Sequence, residues 1–258
     1  MRIIILALLC GAMSFAQAQS GSVSPNPPGP YGVGLHIVKH YDFTRAYKSK
    51  IDELTGRPVQ GERAWPIQTL VWYPAQTGGT PVSYLEYVRP RVTEEAFDLT
   101  EKEVSELLAL TLKAISVRLG ADQAREELNS RMLAVLDTKP SSGKFPVVIY
   151  AAGGGGSADE NADMCEYLAS HGYVVIASPS MGAHTKGISI GLEDVEAQVG
   201  DIEFLIGYAN SLPQSDMAHI AVVGWSWGGM ANVFAAARDS RITALVSFDG
   251  TREPAPRS

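Results

Sequence analysis

The pattern of hydrophobic and polar residues changes at about residue 145, and the part that follows alternates between two kinds of segment. Short apolar runs such as Val147–Ala151 carry no charged residue, which is typical of parallel strands buried on both faces. Helical stretches separate these runs, and such alternation predicts a mostly parallel sheet with helices on both faces. The predicted strands are 147–151, 173–177, 220–224 and 244–248, with helices at about 158–170, 192–211 and 228–238.

The part before residue 145 has two alternating segments and one helical region. Val33–His40 alternates loosely and predicts a first strand, and Ile67–Tyr73 predicts a second one. Between about 93 and 138 the apolar residues instead recur at helical spacing, after a capping box formed by Thr100 and Glu103. We therefore predict a helical insertion over about 93–138, with a first helix that ends at Gly120 and a second amphipathic segment over 121–136.

The N-terminus has the layout of a secretory signal peptide. Arg2 precedes the apolar run Ile3–Leu9, and small residues lead to the cleavage pattern Ala16-Gln17-Ala18. The apolar run is too short to span a bilayer, which disfavours a membrane anchor. A lipid anchor on Cys10 is an alternative, although Leu9 stands where such a site needs a small residue. We expect cleavage after Ala18, a flexible leader over 19–30, one domain over 31–258, and a secreted or periplasmic protein.

Composition and charge exclude several kinds of partner and fold. The formal net charge is −7 and no basic cluster is present, which argues against nucleic acid. Apolar residues make up 45% and charged residues 19%, as in an ordinary globular domain. Cys165 is the single cysteine beyond the predicted leader, so an internal disulfide is not expected. We interpret Cys165 as a small core residue.

A candidate nucleophile lies between a predicted strand and a predicted helix. Gly224-Trp225-Ser226-Trp227-Gly228 matches G-x-S-x-G directly after the strand at 220–224. This context is that of a nucleophile elbow, where a strained turn presents a serine and where the neighbouring residues must be small. An ordinary glycine-rich turn is the alternative. The pattern predicts Ser226 as a nucleophile.

A glycine run follows the strand at 147–151 and predicts an oxyanion-binding loop. Backbone amides in Ala152–Ser157 can approach a developing oxyanion because few side chains obstruct them. We expect the amides of Gly154 and Trp227 to form the oxyanion hole. Phosphate binding is the alternative, but the run lacks the G-K-[ST] ending of a P-loop.

Asp249 is the candidate acid. It follows the strand at 244–248 and should therefore reach the same sheet edge as Ser226, where it could orient a histidine. An Asp-Gly turn formed with Gly250 is the alternative. Asp239 lies between helix and strand, at the opposite edge.

Four stretches of the chain carry a resemblance to known proteins: Gly29–Gly34, Thr69–Ala75, Leu168–Val175 and the elbow followed by Gly229. With them, residues 145–250 resemble the α/β-hydrolase superfamily, and within it bacterial relatives of platelet-activating-factor acetylhydrolase and dienelactone hydrolase. The resemblance implies the α/β-hydrolase fold and, from the acetylhydrolase branch, an acid that falls on Asp249. The loop that usually reads His-Gly is Ala152-Gly153 here, so a side chain that often braces it is missing.

The catalytic base is the missing element of this pattern. Of the five histidines, only His184 follows a strand at the expected active edge, where it could line the substrate pocket or act as base. The resemblance places the family's histidine after the last strand, beyond Asp249, and residues 251–258 contain none. We therefore expect the chain to be truncated, with the last strands and helices of the fold missing.

These observations predict an exported serine esterase that cleaves short-acyl or small esters through an acyl-enzyme. Its partner would be a small-molecule ester, without nucleic acid and without a membrane span. The chemistry needs no metal and no organic cofactor. Trp225 would offer apolar surface to the substrate or pack in the core. A non-catalytic binding module is the main alternative, and a peptidase or lactone hydrolase on the same fold stays open.

Overall fold

The computed structural model describes residues 4–5, 27–51, 55–189 and 191–249. The predicted cleavage site after Ala18, most of the predicted leader, and Gly250 of the Asp-Gly pair lie outside these residues. No helix within the described residues is long and apolar enough to cross a membrane.

The described strands form one eight-stranded sheet. Strands β5 to β8 run parallel, and β3 is antiparallel to both β2 and β6. The prediction of a mostly parallel sheet is confirmed. The strands are β1 (Ile4–Ile5), β2 (Gly32–Ala46), β3 (Ala64–Ala75), β4 (Ala134–Leu136), β5 (Phe145–Ala151), β6 (Val174–Ser178), β7 (Ser215–Trp225) and β8 (Ile242–Phe248), in the order β1-β8-β7-β5-β6-β3-β2-β4.

Helices cover both faces of the sheet and create two cores. One core packs Ile149 and Val222 of the sheet against Ile202 and Ala231 of two helices, and the other packs Trp72 and neighbouring residues against a third helix. Burial of apolar side chains on both faces explains why the apolar runs in the middle of these strands carry no charged residue. The helices are α1 (Leu85–Val88), a 3-10 turn (Arg89–Thr93), α2 (Glu101–Leu119), α3 (Ala121–Leu128), α4 (Ala162–Ser170), α5 (Leu192–Ala209) and α6 (Trp227–Arg238).

The predicted helical insertion contains α2 and α3. Thr100 and Glu103 form both hydrogen bonds of the capping box, and Gly120 ends α2 with a positive φ of 88°. The expected continuation of the second helix to residue 136 is wrong. Because Ala134–Leu136 pairs in parallel with Val33–Leu35, its backbone hydrogen bonds go to the sheet instead of to a helix.

A buried polar network joins β3, α1 and the chain just before β4 to α4. Trp72 Nε1 donates to the Tyr87 hydroxyl at 2.8 Å, and this hydroxyl donates to Glu166 Oε1 at 2.6 Å. The second Glu166 oxygen accepts the Leu133 amide at 2.7 Å. Buried polar groups need such partners, so this network holds α1 and the end of the insertion against α4.

Strand β8 is less buried than its apolar sequence predicts. Residues Ala244–Ser247 are half-buried and Phe248 is 43% exposed. The outer edge of β8 pairs with a described strand only at Ala244 and Leu245, which face Ile4 and Ile5 of β1. An apolar strand with so little cover on one side is a surface on which other chains can pair.

Candidate active site

Ser226 occupies a sharp turn between β7 and α6. Its φ of 48° and ψ of −113° lie outside the regions that a residue with a side chain ordinarily adopts. The Ser226 amide donates to the Phe248 carbonyl at 2.7 Å, and its carbonyl accepts the Met230 amide at 3.1 Å. The backbone strain is therefore held by contacts on both sides, as in a nucleophile elbow.

Two glycines of the G-x-S-x-G pattern are required by close backbone contacts. A Cβ atom on Gly228 would lie 2.1 Å from the carbonyl oxygen of Ala151, and one on Gly224 would lie 2.6 Å from the carbonyl carbon of Gly228. Both distances are far inside van der Waals contact, and the obstacles are backbone atoms that cannot turn away. The glycines thus allow α6 to begin close to the end of β5.

Sheet register places Asp249 next to Ser226. Trp225 at the end of β7 pairs with Phe248 at the end of β8, so the next residue on each strand is Ser226 and Asp249. Asp249 is exposed and has a positive φ of 52°. Within the described residues its carboxylate has no hydrogen-bond partner. The predicted nucleophile and acid therefore lie at neighbouring positions of one edge.

The glycine run after β5 lies against the start of α6. A Cβ atom on Gly154 would be 3.5 Å from Trp227 Cβ. Trp227 is the first residue of α6, so its amide has no acceptor within the helix and lies at the positive end of the helix dipole. The amides predicted to form the oxyanion hole thus belong to adjacent residues.

The two tryptophans of the elbow have different surroundings. Trp225 is 45% exposed, and its Cδ1 would be 2.9 Å from a Cβ atom on Gly153. Trp227 is partly buried and packs on the core beneath α5 and α6. Of the two possibilities for Trp225, the structure places it at the surface beside the glycine run.

All five histidines lie within the described residues, and none is hydrogen-bonded to Ser226 or Asp249. His184 is exposed, and its Nε2 is 3.7 Å from Glu193 Oε2. The ring of His40 is half-buried against Tyr208, and burial lowers its pKa. The other three contact Asp137 (His36), Tyr167 (His171) and Asp216 (His219).

Buried charges anchor the turn that follows the glycine run. Arg91, in the 3-10 turn, donates to both oxygens of Asp159 at 2.6 to 3.2 Å. Glu94 is buried, accepts the Ser157 hydroxyl at 3.2 Å, and pairs with Lys186. Burial raises the pKa of the Glu94 carboxyl, and Lys186 opposes that rise. The 3-10 turn and Glu94 thus hold the turn that follows the glycine run.

Sequence reasoning did not identify Arg91, Glu94 or Asp159. Arg91 and Asp159 are 68 residues apart, so no local sequence pattern links them. Single acidic and basic residues are also common on any protein surface. The described residues contain no group of three or more His, Cys, Asp or Glu side chains placed to hold a metal ion.

The chain resembles known proteins at the level of family and of fold. Residues 132–258 match the dienelactone hydrolase family. No curated protein sequence matches the chain.

Among solved structures, the chain is similar to a ferulic acid esterase from Streptomyces cinnamoneus, with 19% identity and a TM-score of 0.58. That match covers 92% of this chain and 65% of the esterase. A bacterial brefeldin A esterase matches at 15% identity and a TM-score of 0.43, over 88% of this chain and 42% of the esterase. An α/β-hydrolase, GrgF, from Penicillium sp. sh18 matches at 22% identity and a TM-score of 0.35. That match covers 42% of this chain and 38% of GrgF.

The first of these similarities shows the fold, and the family match covers the part of the chain that carries the elbow, the glycine run and Asp249. The chain therefore has the α/β-hydrolase fold, and its residues 132–258 match the dienelactone hydrolase family.

Proposed function

We propose that this protein hydrolyses carboxylic esters, with Ser226 as the nucleophile. The observation that carries the proposal is the strained Ser226 backbone, held between two obligatory glycines beside Asp249 and the glycine run. Backbone strain in a turn is kept only where surrounding contacts impose it, and it concentrates at functional sites. The match to the dienelactone hydrolase family supports ester hydrolysis as the reaction class.

In the proposed reaction the Ser226 hydroxyl attacks the ester carbonyl and loses its proton to a base. The carbonyl oxygen becomes an oxyanion that accepts hydrogen bonds from the Gly154 and Trp227 amides. The tetrahedral intermediate collapses, the alcohol leaves with a proton, and an acyl-enzyme forms on Ser226. Water then cleaves the acyl-enzyme by the same steps, which regenerates the serine and releases the acid. Asp249 orients the base and stabilises its protonated form.

Two contacts support a small acyl group. Ile188 Cδ1 would be 3.6 Å from a Cβ atom on Gly154, so an apolar side chain approaches the glycine run from the loop after β6. Trp227 approaches it from the other side, with Cβ at 3.5 Å. A substrate that places its carbonyl oxygen at Gly154 therefore has limited space around the acyl group.

A non-catalytic binding module is the second candidate, and the histidine contacts favour it. A serine hydroxyl is a weak nucleophile without a base, and every histidine described above contacts a group other than Ser226. Such a module would bind small esters in the same site without cleaving them.

A fluorophosphonate probe separates these two functions. We expect the probe to label the purified protein, with mass spectrometry placing the adduct on the peptide that contains Ser226. The probe needs an activated serine, whereas ester binding alone does not. Ser211→Ala, at an exposed serine beyond α5, should label like the wild type. Failure of the wild type to label while the fold is intact would favour the binding module.

We also propose export to the periplasm or the medium, on the basis of the Ala16-Gln17-Ala18 pattern. Expression with the native N-terminus in a Gram-negative host should give a mature protein that begins near Gln19. Intact-mass measurement of periplasmic and cytosolic fractions checks this. A protein that keeps Met1 and stays in the cytosol would contradict it, and Ala18→Leu should block cleavage because the site needs a small residue.

A further inference from the structure

The glycine run needs a brace that its own sequence does not supply. Residues 153–156 are four glycines in succession, and glycine loses more conformational freedom on ordering than any other residue. A loop that must hold an amide to within a few tenths of an ångström of its position opposite an oxyanion cannot keep this conformational freedom. The sequence has Ala152 before the run, whose methyl group cannot form a hydrogen bond.

We propose that Glu160 is the positioning residue that sets the direction of the Gly154 amide. The proposal rests on the ester hydrolase function above. Glu160 Oε2 accepts the Gly153 amide at 2.9 Å and the Tyr150 hydroxyl at 2.8 Å. Tyr150 is 1% exposed in β5, and Asn161 donates to its hydroxyl. The carboxylate thus ties the glycine run to the rigid centre of the sheet.

The carboxylate is seated against the glycines. Its Oε1 would lie 3.0 Å from a Cβ atom on Gly153 and 2.7 Å from one on Gly156. The Gly156 amide donates to the Gly153 carbonyl at 2.8 Å and closes a tight turn around this point. Glycine at both positions therefore makes room for Glu160, which is a physical reason for the length of the run.

This contact determines which amide is available to the substrate. Because the Gly153 amide already donates to Glu160, it cannot also donate to an oxyanion. The next residue, Gly154, is exposed and faces Trp227, whose amide begins α6. Within the described residues the Gly154 amide has no acceptor. Glu160 thus directs one amide inward and leaves the next one for the oxyanion.

Glu160 acts through geometry and not through its charge, since a negative charge near an oxyanion would oppose the reaction. Glutamine keeps the shape and an acceptor oxygen for the Gly153 amide and the Tyr150 hydroxyl. Alanine removes both acceptors. We therefore expect Glu160→Ala to lower kcat for a p-nitrophenyl ester by about 10²-fold with little change in KM, because mispositioned groups cost about that much. Glu160→Gln should stay within a few-fold of the wild type.

Hydrogen exchange provides a second measurement that does not depend on activity. In Glu160→Ala, peptides that contain Gly153 should exchange at least about ten times faster, since a hydrogen-bonded amide becomes free. Glu160→Gln should keep the slow exchange. Asp163→Ala, at an exposed acid in the first turn of α4, is the matched control and should change neither readout. If the alanine variant fails to fold, Glu160→Asp, which is one methylene shorter, should show the same effects in weaker form.

The outcomes separate this inference from the proposed function. Unchanged exchange at Gly153 in Glu160→Ala overturns the role of Glu160, whatever the activity. Faster exchange with unchanged kcat in an active enzyme also overturns it, because the loop would then not matter to the reaction. If the wild type neither labels nor turns over, the proposed function fails, and exchange at Gly153 alone decides the role of Glu160.

Discussion

Replacing Ser226 by alanine in a full-length relative, or in this chain extended to include a base, should lower kcat/KM for a p-nitrophenyl ester by a factor on the order of 10⁴ to 10⁶, as for other nucleophilic serines. In the proposed reaction the Ser226 hydroxyl oxygen forms the acyl-enzyme, and alanine lacks that atom. The amides that we propose for the oxyanion hole belong to the backbone, so they should persist in the variant and account for any residual rate. Steady-state kinetics with a wild-type reference, together with the fluorophosphonate label, measures the loss.

The control for this variant is the fold of the elbow. Alanine keeps the Cβ atom and should tolerate the positive φ of Ser226 no worse than serine, so the melting temperature should change little. Ser211→Ala should retain the wild-type rate. Retention of more than about a tenth of the activity by Ser226→Ala would show that another residue is the nucleophile, since true nucleophile losses are far larger.

Replacing Arg91 by alanine should lower the free energy of unfolding by about 3–5 kcal/mol, because it leaves a buried carboxylate without its cation. Asp159 is 3% exposed and accepts three hydrogen bonds from Nε and Nη2 of this guanidinium. The Nη2 atom also donates to the Tyr84 hydroxyl at 2.6 Å. A domain has only about 5–15 kcal/mol of stability in total. Urea denaturation followed by circular dichroism should therefore show a much earlier midpoint.

Arg238 offers a matched control at the surface. It also forms a double contact with one carboxylate, at 2.5 and 2.6 Å from Glu196, but both side chains are more than 40% exposed. Solvent screens exposed pairs, which contribute little to stability, so Arg238→Ala should scarcely move the midpoint. Equal losses in the two variants would mean that burial of Asp159 is not what makes the Arg91 pair important.

Arg91→Ala should also affect the site, because Asp159 directly precedes Glu160. A loosened Asp159 frees the turn that carries the proposed brace of the glycine run. Hydrogen exchange at the Gly153 amide in Arg91→Ala therefore reports whether the Arg91–Asp159 pair stabilises the glycine run or only the fold as a whole.

Local sequence patterns determined most of the secondary structure of the second half. The uncharged runs at 147–151 and 220–224 became β5 and part of β7, and the G-x-S-x-G motif became a strained turn at Ser226. Periodicity and steric demand act over a few residues, so they can be read from neighbouring positions. The same reasoning explains the capping box at Thr100 and the end of α2 at Gly120.

Other features were decided only by the tertiary structure. Three-residue β4 forms because Ala134–Leu136 meets β2. Strand β8 is partly exposed, and among the described residues its outer edge pairs with two residues of β1. The adjacency of Ser226 and Asp249 comes from the register of β7 and β8.

The contacts that hold the candidate site in place also depend on the tertiary structure. Glu160 is ten residues from Tyr150, and Arg91 is 68 residues from Asp159. The sequence by itself fixed the motif that presents Ser226, because a sharp turn demands glycines at set positions next to the serine. The packing of distant segments determines that Glu160 contacts the glycine run and that Arg91 is buried beside Asp159. Local sequence cannot show this, because a carboxylate needs such a partner only when folding removes it from water.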